Sequence, residues 1–178
     1  MKYRHSFLLL LVAFILQSTV INHFSIYGVT PNLILCFIVI LSFLFGGYDG
    51  IIFGILFGLA IDVSFSPVIG ITAICNVIAA LFCLEMRRYL YKDNVLSIII
   101  VSVLSTLCHA LIYWGLLSML GKHFNILYLL YIQGIAIGYN GIVAIILYMI
   151  ISRNIRRQRR NRYMYRNSLQ EARSLYKS

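Results

Sequence analysis

The chain has few charged residues for its length, and acidic ones are scarcest. Only 11% of its 178 residues are charged, with 15 Lys or Arg against five Asp or Glu. A soluble domain of this size would carry roughly 25% charged residues, because its surface must face water. The hydrophobic content of 61% and the mean hydropathy of +0.90 therefore exclude an ordinary soluble globular domain.

Motifs for enzymatic chemistry are also missing. The sequence contains no Ser-His-Asp grouping, no HExxH zinc motif, no GxxxxGK[ST] phosphate-binding loop and no paired carboxylates. Its four cysteines fall within apolar segments at a spacing that fits no zinc or haem site, so we expect them to act as small apolar residues. The sequence predicts a protein that is not an enzyme and that uses neither a cofactor nor a metal.

The chain instead contains six long apolar runs. A bilayer core about 30 Å thick takes about 20 apolar residues per helix, and the backbone is satisfied in lipid only by helices or closed barrels. The runs do not alternate polar and apolar residues, so barrel strands are not expected. The second and third runs are short, which fits helices that are little tilted or partly sunk in a bundle. The sequence predicts an all-α polytopic membrane protein, a bundle of six transmembrane helices over Ser6–Ile21, Pro31–Phe45, Ile51–Phe65, Ile69–Leu84, Val95–Leu120 and Leu127–Ile151.

Basic residues are confined almost entirely to one side of this threading. Fourteen of the 15 Lys and Arg residues fall at the termini or in the loop after the fourth run, and only Lys122 falls on the other side. The positive-inside rule then predicts that both termini are cytoplasmic. The first run lacks a small-residue cleavage site and is interpreted as an uncleaved helix. We therefore expect a six-helix transmembrane domain over residues 1–152 and a basic cytoplasmic tail over residues 153–178.

The basic residues next to the spans are expected to lie at the membrane surface. Each such residue near an anionic surface contributes roughly 1 kcal/mol, which favours anionic lipids over nucleic acid as the nearest polyanion. The alternative is a solvated tail that serves only to orient the chain. The candidate membrane-surface residues are Arg87, Arg88, Arg153, Arg156, Arg157, Arg159 and Arg160.

The third run carries the clearest internal pattern. Gly50, Gly54, Gly58 and Asp62 recur every four residues. Each step turns a helix through about 400°, so the positions trace a slow spiral. Small residues at this spacing let two helices approach closely, so the four positions are a candidate seam for helix packing within the bundle or for a partner. A carboxylate within a span costs about 2.5–3.5 kcal/mol, so Asp62 should face the bundle interior. It either accepts hydrogen bonds from the N–H groups that begin the next helix, or binds a partner helix, an ion or a ligand.

Both prolines of the chain mark helix starts. Proline lacks an N–H and suits the first turn of a helix. We expect Thr30 to be the N-cap of the second helix and Pro31 its first residue, followed by Asn32. Pro67 and Gly70 predict a tight external turn before the fourth helix.

Five further polar residues lie within the runs: Gln17, Asn76, His109, Gln133 and Asn140. Polar groups in lipid usually bond across helices. Gln133 and Asn140 share one face, and with Gly134, Gly138 and Gly141 they predict that the sixth helix is an interior one. His109 has no acidic residue one turn away, so we interpret it as a core histidine with its hydrogen bonds satisfied. A proton relay is the alternative.

The order of these motifs resembles that of the MreD family of bacterial rod shape-determining proteins. The matching segments are Gln17-Ser18-Thr19, Thr30-Pro31-Asn32 with its following leucines, Gly58-Leu59-Ala60-Ile61-Asp62, the turn Ser66-Pro67-Val68-Ile69-Gly70, and Arg87-Arg88. They cover residues 1 to about 90, and the later half matches only in hydropathy and length. Asn32 stands where the family usually has Asp.

This resemblance implies a non-enzymatic scaffold or regulator of the cell-elongation complex in the bacterial cytoplasmic membrane. It implies binding to an MreC-like bitopic protein, with MreB, RodA and a class B penicillin-binding protein as further partners in lateral peptidoglycan synthesis. The family also resembles the six-helix vitamin-binding subunits of energy-coupling-factor transporters, so a small-molecule-binding membrane subunit is the alternative. Those subunits dock their transport partner through alanines four apart on the first helix. Here the residues four positions before and after Ala13 are Leu9 and Gln17, so the alanine spacing of that docking site is missing.

Overall fold

The computed structural model describes residues 3–19, 29–66, 68–91, 94–122 and 125–175, with side chains from residue 6 to residue 153 of these ranges. Within them the chain forms six α-helices. Their bounds are α1 Tyr3–Thr19, α2 Leu33–Phe45, α3 Asp49–Phe65, α4 Ile71–Met86, α5 Val95–Met119 and α6 Ile126–Leu175. The all-helical class expected from the apolar runs is confirmed.

Most helix bounds fall within two or three residues of the apolar runs, and the sixth helix is the exception. Helix α6 continues without a break from Ile126 past Ile151 to Leu175. Arginine has about the same helix propensity as leucine, so the backbone stays helical after the apolar residues end. The apolar run therefore marks only the part of α6 that lipid or protein can surround.

The predicted start of α2 is wrong. Neither Thr30 nor Pro31 is helical, and the N-cap is Asn32, whose side chain accepts a hydrogen bond from the N–H of Leu35 at 2.9 Å. Asparagine is among the strongest N-cap residues, and its amide oxygen reaches the third helical residue from this position. Pro31 therefore precedes the cap rather than opening the helix.

Helices α5 and α6 are long and apolar enough to cross a membrane, over Val95–Met119 and Ile126–Arg153. Only 33% of the most apolar stretch of α5 and 28% of that of α6 is buried inside the bundle. Large side chains such as Leu111, Met119 and Leu127 are 74%, 86% and 77% exposed. A soluble protein rarely exposes apolar surface on this scale, so the two helices favour lipid as the surrounding medium.

Helix α2 occupies the centre of the bundle. It packs against each of the other five helices, and its residues from Ile34 to Phe43 are all buried. The interpretation of the second run as partly sunk in the bundle agrees with this burial. Helix α1 packs against both α2 and α3, and its Phe7 and Phe14 meet Phe57 of α3 with ring centroids 5.8 and 6.3 Å away.

The expectation that α6 is an interior helix is only partly right. Asn140, Ala144 and Tyr148 are buried along one stripe of the helix, spaced four residues apart. In contrast, a Cβ added at Gly134, Gly138 or Gly141 would meet no atom of the described residues within 4 Å. These three glycines therefore do not pack closely against the helices described, which cover only the stripe that carries Asn140.

Candidate functional site

The glycines of α3 let this helix approach two neighbours in turn. A Cβ at Gly50 would overlap the Ser42 hydroxyl on α2. A Cβ at Gly54 would stand 3.5 Å from Asn76 on α4, and one at Gly58 only 2.5 Å from the Cα of Ala73. The rotation of about 40° per step carries the glycine face from α2 to α4. The spiral is thus filled by helices of this chain.

The same face of α3 ends in Asp62, whose side chain is 0% exposed. Its carboxylate accepts hydrogen bonds from the backbone N–H groups of Gly70 at 2.8 Å, Thr72 at 3.0 Å and Ala73 at 3.4 Å. This is the first of the two arrangements considered for Asp62. We call Asp62 and these three N–H groups the Asp62 clamp.

The backbone explains why a residue of α3 must cap α4. The N-cap of α4 is Gly70, which has no side chain to offer and adopts φ +100, a left-handed conformation that favours glycine. The first N–H groups of a helix have no intrahelical partner, and they carry the positive end of the helix dipole. A buried carboxylate satisfies both requirements, since a hydrogen bond to a charged group contributes about 1.5–3 kcal/mol. This offsets the cost of placing Asp62 in the bundle.

A second cluster holds the start of α2, using neutral amide side chains. The Asn140 carbonyl oxygen accepts from the Asn32 N–H at 2.9 Å, and the Gln17 carbonyl oxygen accepts from the Ile34 N–H at 3.2 Å. Asn32 itself accepts from Leu35. We call Gln17, Asn32 and Asn140 the amide clamp, which joins α1, α2 and α6.

Hydroxyl groups of α5 extend this network. The Asn140 amide nitrogen donates to the Thr106 hydroxyl at 3.3 Å, and the Ser102 hydroxyl donates to the Asn140 backbone carbonyl at 3.4 Å. Gln133 donates to the Thr106 carbonyl at 3.2 Å. The Cys36 thiol also donates to the Asn140 carbonyl, at 3.5 Å, so this cysteine is more than apolar filler.

The expectation that intramembrane polar groups bond across helices fails for Asn76. Asn76 is 0% exposed, and neither atom of its side-chain amide has a hydrogen-bond partner in the described part of the chain. The buried Ser42 hydroxyl is in the same state. Ser42 lies against Gly50 and Asn76 against Gly54, and glycine has no side chain to offer as a partner.

The interpretation of His109 as a core histidine with its hydrogen bonds satisfied is wrong within the part of the chain that the structure describes. Its Nε2 atom is buried without a hydrogen-bond partner there, and its ring stacks on Tyr113 with centroids 6.2 Å apart. Asp62 of α3 lies close enough to act electrostatically on the imidazole of His109. No acidic residue lies one turn from His109 on α5, because the carboxylate near it belongs to α3, which the local sequence does not indicate. Within the described ranges, no three His, Cys, Asp or Glu side chains are grouped to hold a metal ion.

Three of the predicted basic residues have described side chains, and they lie at the ends of helices. Arg88 is paired with Glu85 at 3.3 Å on the surface, Arg87 is half-buried beside Gly46, and Arg153 is exposed on α6. The side chains of Arg156, Arg157, Arg159 and Arg160 lie outside the described set, as does Pro67. The rest of the turn before α4 is described, and there the Ser66 hydroxyl donates to the Val68 carbonyl at 3.0 Å.

Several buried serine and threonine residues inside the bundle were not predicted as part of its hydrogen-bond network, because such residues are common in apolar helices. Ser42, Ser102, Ser105 and Thr106 are buried, and the Ser105 hydroxyl lies 3.1 Å from the Cys83 thiol. The signal was present in the sequence as a row of hydroxyl residues along one face of α5. These groups can hydrogen-bond within their own helix, so the row alone does not indicate cross-helix bonding.

Comparison with protein families gives one match. The family model of the rod shape-determining protein MreD matches residues 2–157, which is most of the chain and includes both clamps. No curated protein matches the chain, and no solved structure matches it. The chain therefore belongs to the MreD family of rod shape-determining proteins.

Proposed function

We propose that this protein is a multi-pass scaffold of the cell-elongation complex, with six membrane spans and both termini in the cytoplasm. Membership of the MreD family carries this proposal, since it implies a role in determining rod shape. The six apolar helices and the one-sided distribution of Lys and Arg support the threading. The domain boundary is proposed at residue 152, where the apolar part of α6 gives way to arginines.

The threading has a direct test. A reporter that is active only in the cytoplasm, fused after Ser178, is expected to be active, and one fused within the loop around Lys122 is expected to be silent. The reverse result at the carboxyl terminus would overturn the six-span arrangement. Fusion at Lys92 provides a second cytoplasmic position as a control for expression.

Inside the bundle, we propose that the glycine spiral and both clamps set the positions of the helices rather than form a catalytic site. Asp62 supports this role because its carboxylate is engaged by three backbone N–H groups. Gly54 and Gly58 support it because α4 already occupies their face. The interior would then serve to hold a fixed outer surface on which partners assemble.

The proposed partners are an MreC-like bitopic protein and, beyond it, MreB, RodA and a class B penicillin-binding protein. Depletion of the protein from a rod-shaped host is expected to round the cells, and mild detergent extraction is expected to co-purify the bitopic partner. Asp62→Asn is expected to be less stable, and at a temperature below its melt it should keep this partner if Asp62 is structural. Loss of the partner from variant protein that is still folded would assign Asp62 to the interface.

The same depletion experiment separates the vitamin-transport alternative. If depleted cells keep their rod shape but lose uptake of one vitamin, the scaffold proposal is wrong and the chain is a ligand-binding subunit. Co-purification of a small molecule in place of a bitopic protein would point in the same direction.

A further inference from the structure

A cleft of about 490 Å³ opens at the end of the bundle where α2 and α4 terminate. It is bounded by the turn between α2 and α3 and by the last turn of α4. Its lining residues are Gly46, Gly47, Tyr48, Leu84, Arg87 and Arg88. None of the proposed scaffold contacts uses this cleft.

The two arginines of the cleft are in different states. Arg88 forms an ion pair with Glu85, and both side chains are well exposed. The guanidinium of Arg87 lies against Gly46, where any Cβ would overlap it. Gly46 also has φ +64, so glycine is required there on two counts. No hydrogen bond or ion pair joins the Arg87 side chain to the described part of the chain, so its five N–H donors remain for another group.

The surroundings indicate the depth of the cleft in the bilayer. Apolar residues of α2 and α4 end here, at Phe45 and Met86, and charged residues follow. The exposed tyrosines Tyr48, Tyr89 and Tyr91 cluster at the same end of the bundle. Tyrosine is enriched at the level of lipid headgroups, because its ring is apolar and its hydroxyl is polar. The cleft therefore opens where lipid phosphates lie.

We propose that this cleft binds the phosphate group of an anionic phospholipid, held by the Arg87 guanidinium. The planar fork of arginine matches two phosphate oxygens at once. Leu84 offers an apolar wall for the glycerol and acyl part of the lipid. Two carboxylates are near: Glu85 is paired with Arg88, and Asp49 lies beside Gly47. The two arginines and the two carboxylates balance in number, and Arg87 is the cation that no carboxylate of the described residues pairs, so its guanidinium remains for a phosphate.

The test is lipid binding to the full chain in neutral detergent, followed by native mass spectrometry. The probes are phosphatidylglycerol, phosphatidylcholine and inorganic phosphate. We expect phosphatidylglycerol to be retained in preference to the other two. Arg87→Gln should weaken phosphatidylglycerol binding by about tenfold or more, because a hydrogen bond to a charged group is stronger than one between neutral groups. Arg87→Lys should weaken it by less, because lysine keeps the positive charge and loses only the planar fork. Lys122→Gln, which removes one positive charge elsewhere, should bind as the parent does.

Three results would overturn the proposal. They are unchanged lipid binding in Arg87→Gln, equal weakening in Lys122→Gln, and full displacement of the lipid by inorganic phosphate at equal concentration. The melting temperature of each variant without added lipid controls for folding. These outcomes do not depend on the shape-determining role.

Discussion

Helices α2 and α4 both begin at the same end of the bundle, and the chain caps them by opposite means. The start of α4 is held by one charged side chain from the helix just before it, eight to eleven residues away. The start of α2 is held by neutral amides from three helices, one of which is 108 residues distant in sequence. One clamp is local and ionic, and the other is distributed and uncharged.

The difference shows how each clamp contributes to the fold. The Asp62 clamp closes the α3–α4 hairpin, a unit that can form from neighbouring residues. The amide clamp joins α1 and α6 to the central helix, so it can form only when the whole bundle has assembled. Loss of the Asp62 clamp should therefore lower the free energy of unfolding strongly, through the α3–α4 hairpin. Loss of the amide clamp should instead weaken the association of α1 and α6 with α2.

The largest effect is expected for Asp62→Ala. This substitution leaves three buried N–H groups at the start of α4 without acceptors, and we expect the free energy of unfolding to fall by about 4 kcal/mol. Titration with sodium dodecyl sulfate in mixed micelles measures the change. Asp62→Asn, which keeps an oxygen acceptor, should lose about half as much. Equal losses in the two variants would show that the negative charge, and not the acceptor, holds the hairpin.

A slightly smaller effect is expected when the hairpin is forced apart at Gly58. A Cβ there would lie 2.5 Å from the Cα of Ala73, so Gly58→Ala must separate α3 from α4 and draw Asp62 away from its donors. We expect a loss of about 3 kcal/mol in the same titration. Gly138→Ala is the matched control, because its Cβ would meet no described atom within 4 Å. It should be neutral or stabilising by up to about 1 kcal/mol. A neutral Gly58→Ala would contradict the close approach.

The amide clamp is broken by Asn140→Leu. The Asn32 N–H and the Thr106 hydroxyl then lose their side-chain partner on α6, and we expect a loss of about 2 kcal/mol. Limited proteolysis should also release α6 before the α3–α4 hairpin. Asn140→Gln, whose amide sits one methylene further out, tests whether position matters as well as chemistry. Simultaneous release of both regions would argue against separate clamps.

The smallest effect is expected for Asn32→Asp, which places at the start of α2 the acidic residue that the resemblance to the MreD family implies. Asparagine and aspartate are nearly equal as N-caps, so the free energy of unfolding should change by less than about 0.5 kcal/mol. Asn32→Ala should instead lose about 1 kcal/mol, because the Leu35 N–H loses its acceptor. A large gain from Asn32→Asp would show that α2, like α4, prefers a charged cap.

The number of helices in the described residues and most of their bounds could be predicted from the sequence, because apolar runs of this length have few other interpretations. It also indicated that Asp62 faces inward and offered the correct hydrogen-bonding pattern as one alternative. These inferences depend on local periodicity and on the cost of a charge in lipid, both of which act over a few residues.

Contacts between distant segments were not predictable in the same way. Nothing near Asn140 indicates that it meets Asn32, and nothing near His109 indicates that Asp62 lies within electrostatic range. The end of α6 was also missed, because hydropathy reports the surrounding medium and not the continuity of the backbone. Pairing across helices depends on the rotation of each helix in the bundle, which a single sequence leaves open.

The central position of α2 has a consequence for the bilayer. Thirteen residues span roughly 20 Å, about 10 Å less than the hydrocarbon thickness. A helix in contact with lipid would have to thin the membrane to correct such a mismatch. Because protein surrounds α2, the membrane need not match its length, and variations in bilayer thickness act on the outer helices. The central helix that both ends of the amide clamp meet is thereby insulated from variations in bilayer thickness.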